Sequence, residues 1–518
     1  MKKKTLVLMV LSVLGVFSSI QAQEKTKYKE SWESLSTVNQ TPDWFLDAKL
    51  GIYAHWGPVS GAFEGADPKT HYRGWHGMIM YLDGKIVPTK NGKPSSNYVH
   101  HKKKYGKPSK YGYKYIIEQF EPSKFDAKVW ADLFAKSGAK FAGPVAMHHD
   151  NFAMWDAKST RWNSMNYGGI DPSANLKKEI EAKGMKFMAS FHHAFTWKYY
   201  APAHAHGNID EADYDLYTNP HSIESDVPDE RFIKEWWAKL KEYIDTYQPD
   251  LLWFDWWLEN LPEADRQKFL AYYYNEAQKW GKEVGVAYKE TTFPIETAIK
   301  DYERGRPNQP KNPAWLTDTS PGAWFYRPGA KFKEPNELID ILVDIVAKNG
   351  LMLLNVPPNP DGSIPEEMVY LLTEMGAWLD VNGDAIYKTR PWTVFGEGPT
   401  RLPEGGHKVE EKIKIAYTNT DIRYTKKSDK EFYAIVMDKP EGEIVMKTLS
   451  TDIGALNSKI MNISLLGSEE KIEWERDARG LVIKAPKSYP TDYAHSFKIV
   501  LEGYTENDIG GGVEAHED

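Results

Sequence analysis

Four short apolar runs in this chain each end on groups able to move a proton, bind a hydroxyl or attack carbon. Gly51-Ile52-Tyr53-Ala54 leads to His55, Val145-Ala146-Met147 to His148, His149 and Asp150, Ala189-Ser190-Phe191 to His192 and His193, and Leu251-Leu252-Trp253-Phe254 to Asp255. A neutral imidazole donates one hydrogen bond and accepts another. Asp255 closes an apolar run among Trp253, Phe254, Trp256 and Trp257, a setting that excludes water and strengthens local electrostatics. A carboxylate there suits a reaction centre in which one carboxylate attacks an anomeric carbon and a second carboxyl, about 5 Å away, protonates the leaving oxygen. Asp255 is the expected nucleophile. Its partner is expected after the next strand, where Glu290, Glu296 and Glu303 are all open to the role. Glu303 is preferred because it lies in Asp301-Tyr302-Glu303-Arg304-Gly305, where Gly305 permits a turn and Arg304 could act on its protonation. The paired histidines and Asp150 also invite a metal centre, but they match no familiar zinc or iron spacing, and adjacent strand residues point to opposite sides. No metal is expected.

These groups can meet only if the runs are neighbouring parallel strands. Candidate strands at 50–55, 141–148, 185–192, 250–255, 284–288, 315–319 and 351–356 alternate with helical stretches, the pattern of βα units. Val129, Trp130, Leu133 and Phe134 form one expected apolar helix face, and Phe232, Trp236, Leu240, Ile244 and Tyr247 a second. A third carries Leu338, Ile341, Leu342, Ile345 and Val346 and stops at Asn349-Gly350, a left-handed cap. The expected fold is α/β, a (β/α)8-like (TIM-type) barrel with active groups at the C-terminal ends of its strands. Further on, strand-like runs at 432–437, 443–447, 481–483 and 496–500 predict an antiparallel β-sandwich. The expected division is a signal peptide over 1–22, the barrel over 23–390, the sandwich over 391–507 and a disordered, glycine-rich acidic tail over 508–518.

Composition narrows the class. Met1-Lys2-Lys3-Lys4, the apolar run from Leu6 to Phe17 and the small residues ending at Ala22 predict export to the periplasm or medium. That run is too short to cross a bilayer, so no membrane anchor is expected. The chain has no cysteine, which excludes a disulfide framework. A net charge of -8 argues against a nucleic-acid-binding surface. The 19 tryptophans and 30 tyrosines supply flat rings that stack on sugar faces, although large cores use the same rings.

Together the motifs resemble glycoside hydrolase family 29, the retaining α-L-fucosidases. The likeness is carried by Trp44-Phe45-Leu46-Asp47-Ala48-Lys49-Leu50-Gly51-Ile52-Tyr53-Ala54-His55-Trp56-Gly57, by Met147-His148-His149-Asp150-Asn151-Phe152 with Trp155 and Trp162-Asn163-Ser164, by Pro249-Asp250-Leu251-Leu252-Trp253-Phe254-Asp255, and by Leu353-Leu354-Asn355-Val356-Pro357 with Asp361-Gly362. The resemblance implies that Asp255 forms a covalent glycosyl-enzyme, that Glu303 is the general acid/base and that no cofactor is used. It also implies that His55, His148 and His149 bind sugar hydroxyls and that Trp253 lines the pocket. Trp56, Trp75, His192 and Lys289 complete the expected substrate-binding set. Three departures bear on the sugar: Gly74-Trp75 stands where a glutamate-tryptophan pair is usual, His192 where a tyrosine is, and Lys289 where an arginine is. They leave open an α-L-galactosidase acting on sulfated algal galactan, and a catalytically inactive glycan-binding protein is the alternative from another class. A basic insert, His100-His101-Lys102-Lys103-Lys104 followed by Lys107, Lys110 and Lys114 and interleaved with Tyr98, Tyr105, Tyr111 and Tyr113, could attract an anionic or sulfated carbohydrate, or consist of solvated loop lysines.

Overall fold

Strands β1 (Leu50–Ala54), β2 (Phe141–Met147), β3 (Lys186–Phe191), β4 (Leu251–Phe254), β5 (Gly285–Tyr288), β6 (Ile299–Lys300), β7 (Trp315–Thr319) and β8 (Gly350–Val356) form one parallel sheet in the order β6-β5-β4-β3-β2-β1-β8-β7. The computed structural model describes residues 27–62, 74–207, 209–327, 329–403 and 408–504, and the expected signal peptide and acidic tail lie outside them. Strands β1, β2, β4, β5, β7 and β8 are buried along their full lengths. A parallel sheet covered on both faces requires this, and it is why these strands read as continuous apolar runs. The two ends of the sheet approach each other where Asp301 bridges to Leu316 and the Tyr302 N–H donates to the Leu316 carbonyl at 2.9 Å, nearly closing a barrel. Strand β6 is a correction to the sequence reading: two residues are too few to display a periodicity.

Helices α1 (Ala127–Lys136), α2 (Pro172–Ala182), α3 (Glu230–Tyr247), α4 (Glu263–Trp280), α5 (Pro335–Ala347) and α6 (Glu366–Asn382) pack outside the sheet. Among the described residues, β5, β6 and β7 follow one another without an intervening helix. Helix α1 opens on Asp126, whose carboxylate caps the N–H groups of Lys128 and Val129. Its buried face is Ala127, Trp130, Ala131, Leu133 and Phe134, while Val129 is 56% exposed. At about 100° per residue the buried arc runs from Leu133 to Ala131, and Val129 falls about 120° from its centre, outside the face that meets the core. The expected stripe on α3 is buried throughout. Helix α5 is followed by Asn349 at φ 71°, the left-handed residue that turns the chain into β8.

Beyond the barrel, β9 (Arg390–Glu397), β10 (Ile422–Ser428), β11 (Glu431–Val436), β13 (Ile460–Leu465) and β16 (His495–Leu501) form an antiparallel sheet in the order β13-β16-β11-β10-β9. A smaller sheet is ordered β12-β15-β14, from Ile444–Met446, Gly480–Ile483 and Trp474–Asp477. Side chains alternate along β11: Phe432, Ala434 and Val436 join the core of this second unit, while Tyr433 and Ile435 join the barrel core. One sheet thus serves both cores.

A buried charge cluster ties the units together. Asp344 on α5 accepts from Arg423 on β10 at 2.7 Å and from Arg306 and Lys348 at 2.9 Å each. Burial would raise the Asp344 pKa, but Lys348, Arg423 and Arg306 hold it well below the usual aspartate range. Asp344→Ala leaves three cations without their shared carboxylate and is expected to cost about 3–5 kcal/mol, read as a lower urea midpoint. Because the folded pKa is depressed, this contribution is complete above the ordinary aspartate pKa of about 4 and fades as pH falls below it. An unchanged midpoint at neutral pH would mean that apolar contact alone joins the units.

Between β1 and α1 the basic insert forms helices Ser96–Lys104 and Tyr113–Ile117. Its tyrosines do not make an open stacking face: Tyr113 is fully buried, and the Lys104 and Lys110 ammonium groups lie 5.0 Å from the ring centroids of Tyr105 and Tyr111. Lys102, Lys103, Lys107 and Lys110 are exposed.

Candidate active site

Each barrel strand delivers a polar group to the same end of the sheet. Asp255 directly follows β4 and is 8% exposed. Its Oδ2 accepts from His192 Nδ1 at 2.9 Å and lies 3.5 Å from His149 Nε2, while its Oδ1 is 3.1 Å from Lys289 Nζ. Lys289, directly after β5, is shared among three carboxylates: Asp255 and Glu303 Oε2 at 3.1 Å each and Asp318 Oδ2 at 3.3 Å. Glu303 sits in the turn after β6, fastened to β7 by the Arg304 N–H donating to the Asp318 carbonyl at 2.8 Å. The left-handed residue of that turn is Arg304, at φ 45°, and not Gly305. The Arg304 guanidinium lies over Trp324, 4.4 Å from its centroid, so the cation against the pocket-side oxygen of Glu303 is Lys289. Glu290 and Glu296 are exposed, and neither is among the groups that act on Asp255.

The histidines converge because β2 stops at Met147. His148 and His149 lie beyond the strand and escape its alternation, with ring centroids 4.3 Å apart. His148 is 4.6 Å from His192 and 5.6 Å from His55, centroid to centroid. Asn355 on β8 donates its amide to Ser320 Oγ and the Trp324 carbonyl, so its Oδ1 is the acceptor for His55 Nδ1 at 2.8 Å. His55 therefore presents Nε2 as an acceptor. His149 Nδ1 donates to the His192 carbonyl at 2.8 Å, which leaves its Nε2 lone pair facing Asp255 across 3.5 Å, a gap that a hydroxyl donor can bridge. Burial pulls the His55 and His148 pKa values well below 6.5 and that of His149 to about 4, so all three are neutral near pH 7. Among the described residues, His148 Nδ1 is buried without a hydrogen-bond partner.

Aromatic rings wall this cluster. Trp253 is fully buried, with His192 at 5.1 Å and the Lys289 ammonium at 4.8 Å from its centroid. Trp75 stacks on Trp256 at 5.9 Å and lies 5.4 Å from His149. Trp324 and Phe325, in the loop after β7, stand 5.4 and 5.2 Å from His55. Gly74 carries no side chain for a steric reason: a Cβ there would meet Phe325 at 2.9 Å and His148 at 3.3 Å. A glutamate at 74 and Phe325 in its present place exclude each other.

Trp56 is not brought to the cluster. Its ring instead stacks on Phe125 at 5.1 Å and donates to the Pro360 carbonyl at 3.3 Å. Sequence reasoning missed Tyr53, Asp318, Trp324, Phe325 and Asn355. Tyr53 donates to Asp318 Oδ2 at 3.0 Å, and Asp301 Oδ1 accepts from the Asp318 N–H at 2.8 Å. Asp318 carries a readable signal: a carboxylate inside the buried strand Trp315–Thr319 has to be paired.

Among the described residues, two donor sets could hold an ion, His55 with His148 and His192, and His149 with His192 and Asp255; within each, the ligand atoms lie within 4.8 Å of one another. In the second, Lys289 already supplies Asp255 with a positive charge at 3.1 Å, so a divalent ion there would meet a like charge. Burial would raise the Asp255 pKa, but Lys289 and then His192 keep it well below 3.8. For Glu303, burial and Asp255 act upward while Lys289 and Lys408 act downward, and the result lies below 4.5. Were Glu303 to act as a general acid, it would carry its proton in the free protein only at acidic pH, and kcat/KM would decline as pH rises on the acid side of neutrality. Lys289→Met removes the larger cationic influence and raises the Glu303 pKa. The alkaline limb of kcat/KM is then expected to move up by about 1 pH unit or more, alongside a loss of rate; an unmoved limb would separate Glu303 from the titration.

Two family descriptions match the chain: alpha-L-fucosidase over residues 15–384 and the alpha-L-fucosidase C-terminal domain over residues 416–500. The chain belongs to the alpha-L-fucosidase family. It is 26% identical over 506 residues to an alpha-L-fucosidase of Dictyostelium discoideum, covering 94% of this chain and 96% of the relative. With the tissue alpha-L-fucosidase of Homo sapiens it shares 26% identity over 516 residues, covering 95% and 96%. Among solved structures, an alpha-fucosidase of Thermotoga maritima in complex with fucose superimposes with a TM-score of 0.68 at 27% identity, covering 92% of this chain and all of that one. These fucosidase-family likenesses extend through the second unit as well as the barrel.

Proposed function

We propose that the protein is an exo-acting retaining glycoside hydrolase that releases terminal α-L-fucose from glycans. The observation that carries this reading is the Asp255–Lys289–Glu303 bridge. Both carboxylates lie 3.1 Å from one ammonium nitrogen, so their facing oxygens are no more than about 6 Å apart, on the retaining side of the two glycosidase geometries. A sugar seated among His55, His148 and His149 presents its anomeric carbon to Asp255. The carboxylate attacks, Glu303 gives its proton to the departing oxygen, and water then opens the ester with Glu303 as base. The electrostatics favour this change of role. Asp255 raises the Glu303 pKa while it is ionised, and esterification removes that charge, leaving Lys289 and Lys408 to favour the basic form.

L-galactose, which adds a hydroxyl to the L-fucose skeleton at C6, is the competing sugar. Buried His148 Nδ1, which has no partner among the described residues, would welcome one more hydroxyl. Parallel assays of nitrophenyl α-L-fucoside and α-L-galactoside test the choice. A higher kcat/KM on the fucoside is expected; a preference for the galactoside would change the sugar and keep the chemistry. Export, from the pattern of residues 1–22, and attraction of a sulfated or otherwise anionic glycan by exposed Lys102, Lys103, Lys107 and Lys110 belong to the same proposal.

A further inference from the structure

The second unit reaches the active site through the connection between β9 and β10. Residues 408–411 of that connection run along the turn bearing Glu303: the Lys408 N–H donates to the Glu303 carbonyl at 2.8 Å and the Glu410 N–H to the Arg304 carbonyl at 3.0 Å. Side chains secure the contact. The Glu410 carboxylate meets Lys333 at 2.9 Å, accepts from Thr319 Oγ1 at 2.8 Å and lies 3.5 Å from Arg306, while Arg304 Nε is 3.7 Å from Glu411. Val409 is 1% exposed and anchors the segment. The Lys408 ammonium stands 3.7 Å from Glu303 Oε1, the oxygen opposite the one that meets Lys289. Its side chain is 41% exposed against 5% for Lys289, which places it on the solvent side of the carboxyl, where a leaving group departs. These residues fall between the two spans matched by the family descriptions, which end at 384 and resume at 416.

We propose that residues 408–411 are a clamp through which the second unit positions the acid/base, with Lys408 as a positioning residue that holds Glu303 toward the leaving group. This rests on Glu303 being the acid/base. A carboxyl on a short turn otherwise samples several rotamers, and proton transfer demands hydrogen-bond reach of the glycosidic oxygen. Backbone pairing fixes the turn, and cations on both oxygens fix the side chain. The charged groups that bear on Glu303 are Lys289 after β5, Asp255 after β4 and Lys408 from the clamp, with Asp318 on β7 and Asp301 after β6 behind Lys289. Taking away Lys408 removes one of two cations that favour the ionised carboxyl, so the proton is retained to higher pH.

The test uses the full chain with K408M, K408R and E303A, assayed on a phenyl and a dinitrophenyl α-L-fucoside. K408M is expected to lower kcat/KM, which reports the first step, about 10-fold on the phenyl substrate and less than about 2-fold on the dinitrophenyl one, because only the poor leaving group needs the positioned proton in that step. KM for the phenyl substrate and inhibition by free L-fucose stay unchanged, the alkaline limb of kcat/KM moves upward, and K408R restores both rate and limb. E410Q, which loosens the segment without touching Lys408, should give the same leaving-group signature. K408M and E410Q enzymes matching wild type in both readouts, while E303A keeps its own leaving-group dependence, would overturn the clamp alone. E303A without such dependence would overturn the acid/base reading and the clamp with it.

Discussion

Asp255→Gly is expected to lower kcat on an aryl α-L-fucoside by about 10⁴-fold or more, equivalent to about 5.5 kcal/mol of lost transition-state stabilisation. The size follows from what the carboxylate does. In the proposed reaction it supplies the bonding electron pair of the first step, and no neighbour can replace it. His149 and His192 point nitrogens at it rather than at substrate carbon, and Lys289 is held as an ammonium by Asp255, Asp318 and Glu303 despite its burial. Azide, a small anion, fits the space left by the side chain and is expected to restore turnover, giving a fucosyl azide of inverted configuration. Residual activity within about 10-fold of wild type would remove Asp255 from the chemistry.

Glu303→Ala is expected to have the second largest effect, and a divided one. General acid catalysis contributes about 10²–10⁴-fold, a factor that should be lost in full on phenyl or natural glycosides and only in small part on dinitrophenyl glycosides, whose phenolate leaves unaided. The second step still needs a base, so the activated substrate should show a burst of dinitrophenolate followed by slow turnover. Equal losses on both substrates would transfer the role elsewhere. Glu290 and Glu296 are poorly placed to take it, being solvent-exposed outside the carboxylate cluster.

What could be read before folding follows from burial. Strands covered on both faces leave unbroken apolar runs, and the first polar residue after each run stands at the mouth of the barrel. Asp255, His148, His192 and Lys289 were legible for that reason. Trp56 misled because it shares a motif with His55, yet the two rings have different neighbours, Phe325 for His55 and Phe125 for Trp56. Asp318 was passed over because its strand was read as scaffold, and β6 because two residues carry no period. Lys408 could not be found from spacing at all: it is distant in sequence and reaches Glu303 only because the sheet that precedes and follows it packs on α5. Substrate identity is the least legible part, since Gly74, His192 and Lys289 reshape the pocket through packing and charge sharing that no motif encodes.

The central claim, a covalent glycosyl-enzyme on Asp255, is most directly tested by incubating the protein with 2-deoxy-2-fluoro-L-fucosyl fluoride and mapping the modified peptide by mass spectrometry. The fluorine slows both steps, and the activated fluoride lets the first outrun the second. The account predicts one fluorofucosyl group per chain, carried on the peptide that contains Asp255, with loss of activity that recovers as the ester turns over. A label on another residue, or complete turnover with inverted product and no labelled protein at any time, would contradict it.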